Sequence, residues 1–216
     1  MLTLYDYFRS SASYRVRIAL NLKGVAYEKS QVHLVNNGGE QNSQRYRRIN
    51  PQGLVPSIEE AGHNEPFILH QSLAIIEYLD EKYPTPNLMP EDLQAKSLVR
   101  SFAYKICCDI HPLNNLRVLN YLENDLGIEE EQKLQWYDHW VEEGLLALEA
   151  QLKTIRPLKF CFGDTPSIAD LCLIPQVYNA KRFHIDLSEY KRIVSVYDRC
   201  MDLEAFYNAR PEETTS

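Results

Sequence analysis

With 216 residues, 44% of them hydrophobic, the chain is long enough to bury one substantial core or two modest ones, which excludes a disordered or fibrous protein. A formal charge of −7 opposes nucleic-acid binding and leaves recognition of any anionic ligand to local arginines. The opening residues carry no basic leader and no stretch approaches the ~20 apolar residues of a membrane span, so neither secretion nor membrane insertion is expected.

Residues 2 to 8, rich in leucine and aromatics, predict a strand, and Val16, Ile18, Ala19, Leu20, Leu22 and Lys23 predict a helix closed by Gly24. A second strand is expected around residues 27 to 34, which makes the opening a βαβ unit with a parallel strand pair. Gly38 and Gly39 mark a loop, and the prolines of Asn50-Pro51-Gln52-Gly53-Leu54-Val55-Pro56 forbid regular structure there. The runs Ser57 to Glu60 and Phe67 to Leu69 read as a hairpin turning around Gly62 and Asn64. Leu73, Ile75, Ile76 and Leu79 place a helix over Gln71 to Tyr83, packed on the sheet. The first domain, residues 1–83, is therefore βαβ followed by ββα.

Pro84-Thr85-Pro86-Asn87-Leu88-Met89-Pro90 interrupts helix and strand alike, so residues 84–90 are expected to be a linker. Residues 91–216 read as an all-helical domain, with stripes at Leu98, Phe102 and Ile106 and at Leu134, Tyr137, Val141, Leu145, Leu148 and Leu152. Ser167-Ile168-Ala169-Asp170 reads as a capping box opening a helix that carries Leu171, Leu173, Ile174 and Val177. The polar tail from Arg210 to Ser216 is expected to fray.

Ser10-Ser11-Ala12-Ser13 falls between the first strand and the first helix, where unsatisfied N–H groups and the helix dipole favour an anion. Taken alone, the tetrapeptide favours a serine that merely caps the helix over a catalytic one. The five cysteines, Cys107, Cys108, Cys161, Cys172 and Cys200, lack the spacings of a zinc site or a CxxC centre, so no metal is expected and a reducing cytoplasm is the expected setting.

The stretch Tyr7-Phe8-Arg9-Ser10-Ser11-Ala12-Ser13-Tyr14-Arg15-Val16-Arg17-Ile18-Ala19-Leu20 resembles the signature of zeta-class glutathione transferases. The resemblance continues through Asn50-Pro51, Leu54-Val55-Pro56, the run from His70 to Leu79, and the run from Ala169 to Gln176, so it spans nearly the whole chain. It implies a thioredoxin-like N-terminal domain followed by an all-helical C-terminal domain, a fold of α/β plus all-α class.

The resemblance also implies glutathione as cofactor and a homodimer. Ser10 would hydrogen-bond the glutathione sulfur, with Ser11 as a second donor. Val55, ahead of a cis-proline at Pro56, would pair through its main chain with the cysteinyl part of glutathione, and Gln71 and Ser72 would hold the γ-glutamyl carboxylate. His111, Asn115 and Arg117 match a segment that contacts glutathione from the helical domain, and Arg9 and Arg182 match arginines that bind substrate carboxylates. Family members often carry cysteine where Ala12 stands here, so the reactive sulfur must come from glutathione. Arg15 and Arg17 read as structural or rim charges, and Cys107 and Cys108 as small buried residues without a redox role.

The implied activity is cis–trans isomerisation of maleylacetoacetate to fumarylacetoacetate, a step of tyrosine and phenylalanine breakdown. Maleylpyruvate, or small α-halo acids in a conjugating or dehalogenating reaction, are alternative substrates. A transferase-like adaptor without catalysis is the alternative of a different class, disfavoured by the joint presence of Ser10, Val55-Pro56 and Gln71-Ser72.

Overall fold

A computed structural model describes residues 1–62, 65–156 and 158–214. The chain divides into two compact units, one made of Met1–Leu88 and the segment from Met201 on, the other of Met89–Cys200.

The first unit is built on four strands, β1 (Leu2–Asp6), β2 (Tyr27–Gln31), β3 (Ser57–Glu60) and β4 (Phe67–His70), in the order β2-β1-β3-β4. β1 runs parallel to β2 and antiparallel to β3, and β3 and β4 form the hairpin, which is the thioredoxin-like arrangement. Of the turn expected around Gly62 and Asn64, Asn64 lies outside the described residues. Helix α1 (Ser11–Lys23) makes the parallel crossover and ends at Gly24, whose φ of 62° only a residue without Cβ adopts freely.

A short helix, α2 (Gln44–Ile49), follows where only a loop was expected. Its residues, QRYRRI, bury just Tyr46 and so show no apolar stripe. Ser43 caps it, and the Tyr46 hydroxyl donates to the Leu54 carbonyl. Helix α3 (Ser72–Lys82) closes the unit against α1 through Ile75, Ile76 and Leu79, all fully buried. Lys23, at the end of α1, donates to Asp80, to the Tyr83 carbonyl and to the Pro86 carbonyl.

The second unit is helical: α4 (Leu93–Tyr104), a π-helical turn over Lys105–Ile110, α5 (Leu116–Asn124), α6 (Glu130–Lys153), α7 (Ile168–Arg182) and α8 (Lys191–Met201). The buried stripe of α4 and the π turn is Val99, Phe102, Ala103, Ile106 and Ile110; Leu98 falls one position off it and is 47% exposed. Leu134, likewise expected inside, lies in the first turns of α6 and is 39% exposed, while Tyr137, Val141, Leu145, Leu148 and Leu152 are buried.

Ser167 and Asp170 close the start of α7 as expected from their spacing. Asp170 accepts from the Ser167 amide and hydroxyl and from the Cys161 amide at 2.8–2.9 Å. Glu149 of α6 does the same for α8, accepting from the Arg192 and Ile193 amides.

Helix α9 (Glu204–Tyr207) and the residues after it belong to the first unit. The expectation of a frayed tail fails for its described part: Arg210 bonds the Tyr207 carbonyl and pairs with Glu213, and Pro211 is buried. Thr215 and Ser216 lie outside the described residues. No helix among the described residues is long and apolar enough to cross a membrane.

Candidate active site

Sheet register decides where the first set of predicted residues meets. Tyr5 at the end of β1 pairs with Ser57 at the start of β3, and Ser57 pairs with His70 at the end of β4. The connections carrying Ser10, Val55 and Gln71 therefore leave the sheet at one end. A cluster of Tyr7, Val32, Tyr46 and Val55 packs beneath them, so Val55 is fixed against the residues that lead into α1. The Val55-Pro56 bond is cis.

Ser10 is the N-cap of α1: its Oγ accepts from the Ser13 amide at 3.2 Å, and its own amide donates to the Tyr7 carbonyl at 2.9 Å. An Oγ that accepts from within the helix keeps its O–H proton for an outside acceptor. Ser11 follows as the first helical residue and is buried. Arg9 is exposed, with its guanidinium 5.0 Å from the centre of the Phe8 ring.

Gln71 stands at the N-terminus of α3 with φ 70°, a left-handed value that a residue with a Cβ adopts at a cost of about 1–3 kcal/mol. Its amide group donates to Gln52 Oε1 at 2.9 Å. Ser72 is buried, and its Oγ accepts from the Arg15 guanidinium at 3.2 Å. Neither α1 nor α3 has an acidic residue in its first turn, so both helix dipoles reach this end of the sheet uncompensated.

His70, next to Gln71, bonds Ser57 Oγ at 3.1 Å, and burial holds its pKa below the ordinary value, which favours the neutral ring. The donor set is thus hydroxyls, amides and a guanidinium, a chemistry matched to an anion rather than to a metal. Among the described residues no group of acidic, histidine and cysteine side chains could hold a metal ion.

The second unit carries the remaining predicted residues. His111 follows the π turn, its amide donating to the Ile106 carbonyl five residues back. Asn115 caps α5 by accepting from the Arg117 amide, which leaves the Arg117 guanidinium exposed. Tyr137 of α6 ties this segment to Arg182. Its carbonyl accepts from Asn114 at 3.3 Å, and its ring stacks on Phe183 at 3.9 Å, beside the Arg182 guanidinium. Burial pushes the Tyr137 hydroxyl pKa up, and the positive charge of Arg182 partly offsets this.

A family model for the N-terminal domain of glutathione S-transferases matches residues 4–87. A probable maleylacetoacetate isomerase of Vibrio cholerae is 47% identical, over 98% of this chain and 96% of the relative. A holo structure of a maleylpyruvate isomerase, described as a bacterial glutathione S-transferase of the zeta class, superposes with a TM-score of 0.91 at 43% identity, covering 98% of each chain. This chain belongs to the zeta class of glutathione transferases. A maleylacetoacetate isomerase of Methylobacterium extorquens, with malonate and glutathione bound, is 37% identical with a TM-score of 0.91, covering 98% of this chain and 97% of that one.

Within the two units, three residues that touch predicted ones escaped sequence reasoning. Arg15 is not on the rim but 2% exposed behind Ser72, Gln52 braces Gln71, and Tyr137 joins Asn114 to the Arg182 end of α7. Each lay within a stretch already singled out, Gln52 in the Asn50-to-Pro56 motif, Arg15 in the Tyr7-to-Leu20 stretch and Tyr137 in the helical stripe, but none with this role. Arg17, the other arginine read as structural or rim, is fully buried and structural. Cys107 is partly exposed and Cys108 exposed, so the expectation that both are buried fails. A groove of about 630 Å³ between α7 and α8, lined by Lys181, Leu187, Lys191, Val194 and Arg199, holds none of the predicted residues.

Proposed function

We propose that this chain is a glutathione-dependent cis–trans isomerase that converts maleylacetoacetate to fumarylacetoacetate. The observation that carries the reading is the pair of uncompensated helix N-termini, one capped by Ser10 and one headed by Ser72, at the sheet end that also holds Val55. These groups fit glutathione, an anionic tripeptide with a thiol, because each is a donor and none is a carboxylate.

In this reading the Ser10 hydroxyl donates a hydrogen bond to the sulfur, and Ser11 and the α1 dipole favour the thiolate over a thiol whose free pKa is about 8.5. Val55 pairs with the peptide through its main chain, as an added strand does, and Gln71 and Ser72 hold the γ-glutamyl carboxylate. When bound, glutathione supplies a thiolate whose reversible addition to the conjugated cis double bond leaves a single bond free to rotate. Arg9 and Arg182 bind the carboxylates of the substrate through their guanidinium forks, and His111, Asn115 and Arg117 serve cofactor binding. A homodimer in a reducing cytoplasm belongs to the same proposal. The likeness to a maleylpyruvate isomerase supports maleylpyruvate as a second substrate.

Conversion of maleylacetoacetate, followed by absorbance with and without glutathione, tests the reading. Fast turnover that requires glutathione is expected, and Ser10→Ala should lower kcat/KM by about a hundred- to a thousandfold while glutathione still binds. Turnover of neither maleyl substrate would sink it.

A further inference from the structure

Arg15 and Arg17 lie two residues apart on α1, both buried, and differ in one respect. Arg17 is fully engaged, with Asp6 Oδ1 at 2.6 Å and the carbonyls of Phe8 and Ala209 at 2.9 and 3.0 Å. Arg15 is 2% exposed and donates only through Nη1, to Ser72 Oγ. Its Nε and Nη2 have no hydrogen-bond partner, and no carboxylate pairs with it, among the described residues. A guanidinium stays protonated at any physiological pH, so a permanent positive charge sits in the interior of the first unit without a counter-charge. Folding alone penalises such a group.

The contact with Ser72 links this charge to the start of α3. A hydroxyl oxygen that accepts from Arg15 must send its own proton elsewhere, and Ser72 heads α3, whose first-turn amides already favour an anion. Arg15 thus turns Ser72 into a donor of fixed direction and adds its charge to the helix dipole behind it.

We infer that Arg15 is a positioning residue for the α-carboxylate of the glutathione γ-glutamyl group: it orients the Ser72 hydroxyl and provides the buried charge that the bound carboxylate neutralises. This rests on the proposed function, since it presupposes that glutathione binds at Ser72. Arg15 touches neither the sulfur nor the isomerised bond, so it acts on affinity and not on the chemical step.

The test compares parent, Arg15→Met and Arg15→Lys for glutathione KM, kcat and thermal stability, using as second probe the glutathione analogue in which 4-aminobutanoyl replaces γ-glutamyl and the α-carboxylate is gone. Arg15→Met should raise the glutathione KM on the order of tenfold or more and leave kcat at saturation within about twofold. Its Tm without glutathione should be no lower than the parent's, because an unpaired buried charge has been removed. With the analogue, parent and variant should bind alike. Arg15→Lys, which keeps the charge and loses the fork, should fall between.

An unchanged glutathione KM overturns the inference, and so does a raised KM that persists undiminished with the analogue. Should Arg15→Met fail to fold, the same pair of probes on Arg15→Lys decides by the same criteria. A parent that binds no glutathione would instead overturn the proposed function, which separates the two failures.

Discussion

Asp6 and Arg17 meet inside the first unit with side chains 5% and 0% exposed, and the same guanidinium reaches a carbonyl on each side of the pair. Removing one partner of a buried ion pair strands the other. Asp6→Ala should therefore lower the unfolding free energy in urea by about 3–5 kcal/mol, a large part of what a domain possesses. Joint replacement by Asp6→Leu and Arg17→Met should recover most of that loss, because apolar groups of similar size need no partner. An Asp6→Ala variant as stable as the parent would show that the carbonyls alone satisfy Arg17. The serine at the strand–helix junction, the Val-Pro pair and the Gln-Ser helix start were legible in the sequence because each is a local signal at a fixed place. Arg15 and Arg17 were only half legible, since the sequence left them as structural or rim charges and did not show that both are buried. A charge within an amphipathic pattern ordinarily marks the solvent side, and nothing local says that α1 is buried on nearly every face.

Among the elements, the π turn over Lys105–Ile110 has the least sequence signal and a clear packing partner. Gly144 of α6 lies so close to it that a Cβ would meet Ile110 Cγ1 at 2.3 Å, and Ile110 is only 2% exposed. In an exposed helix Gly→Ala gains about 1 kcal/mol from propensity, but forced overpacking costs about 1–3 kcal/mol. Gly144→Ala should thus destabilise the second unit or leave it no better and, on the proposed role of His111 in cofactor binding, should raise the glutathione KM. A gain in Tm with unchanged kinetics would mean that Ile110 swings aside freely. The π turn was hidden because periodicity is blind to one inserted residue: Phe102 and Ile106 keep helical spacing across the point where the bonding pattern changes. Helix α2 was hidden for the opposite reason, since a single buried tyrosine in six residues sets no period at all. The capping box at Ser167 was legible because its chemistry lies within four consecutive residues.

At the scale of the whole molecule, the first unit is closed by a segment that follows the helical unit in sequence. Tyr14 donates to the Phe206 carbonyl, Arg17 to that of Ala209 and Asn21 to that of Ala205, while the Phe206 side chain is fully buried. Phe206→Ala should cost about 3–5 kcal/mol. Hydrogen exchange should locate the loss in α1 and the sheet and leave α6 and α7 as protected as before. Exchange that rises evenly over both units would mean that they unfold as one. The two-domain plan was readable from the proline-rich stretch, but the return of the tail was not, because a polar ending with one proline resembles any loose terminus.

That closure has a consequence for how the protein is made. Synthesis releases β1 and α1 well before α8, yet the partners of Tyr14, Arg17 and Asn21 emerge only after α8 has been translated. The helical unit is contiguous and can fold as its residues emerge, whereas the first unit is completed only once the segment from Met201 on has been made.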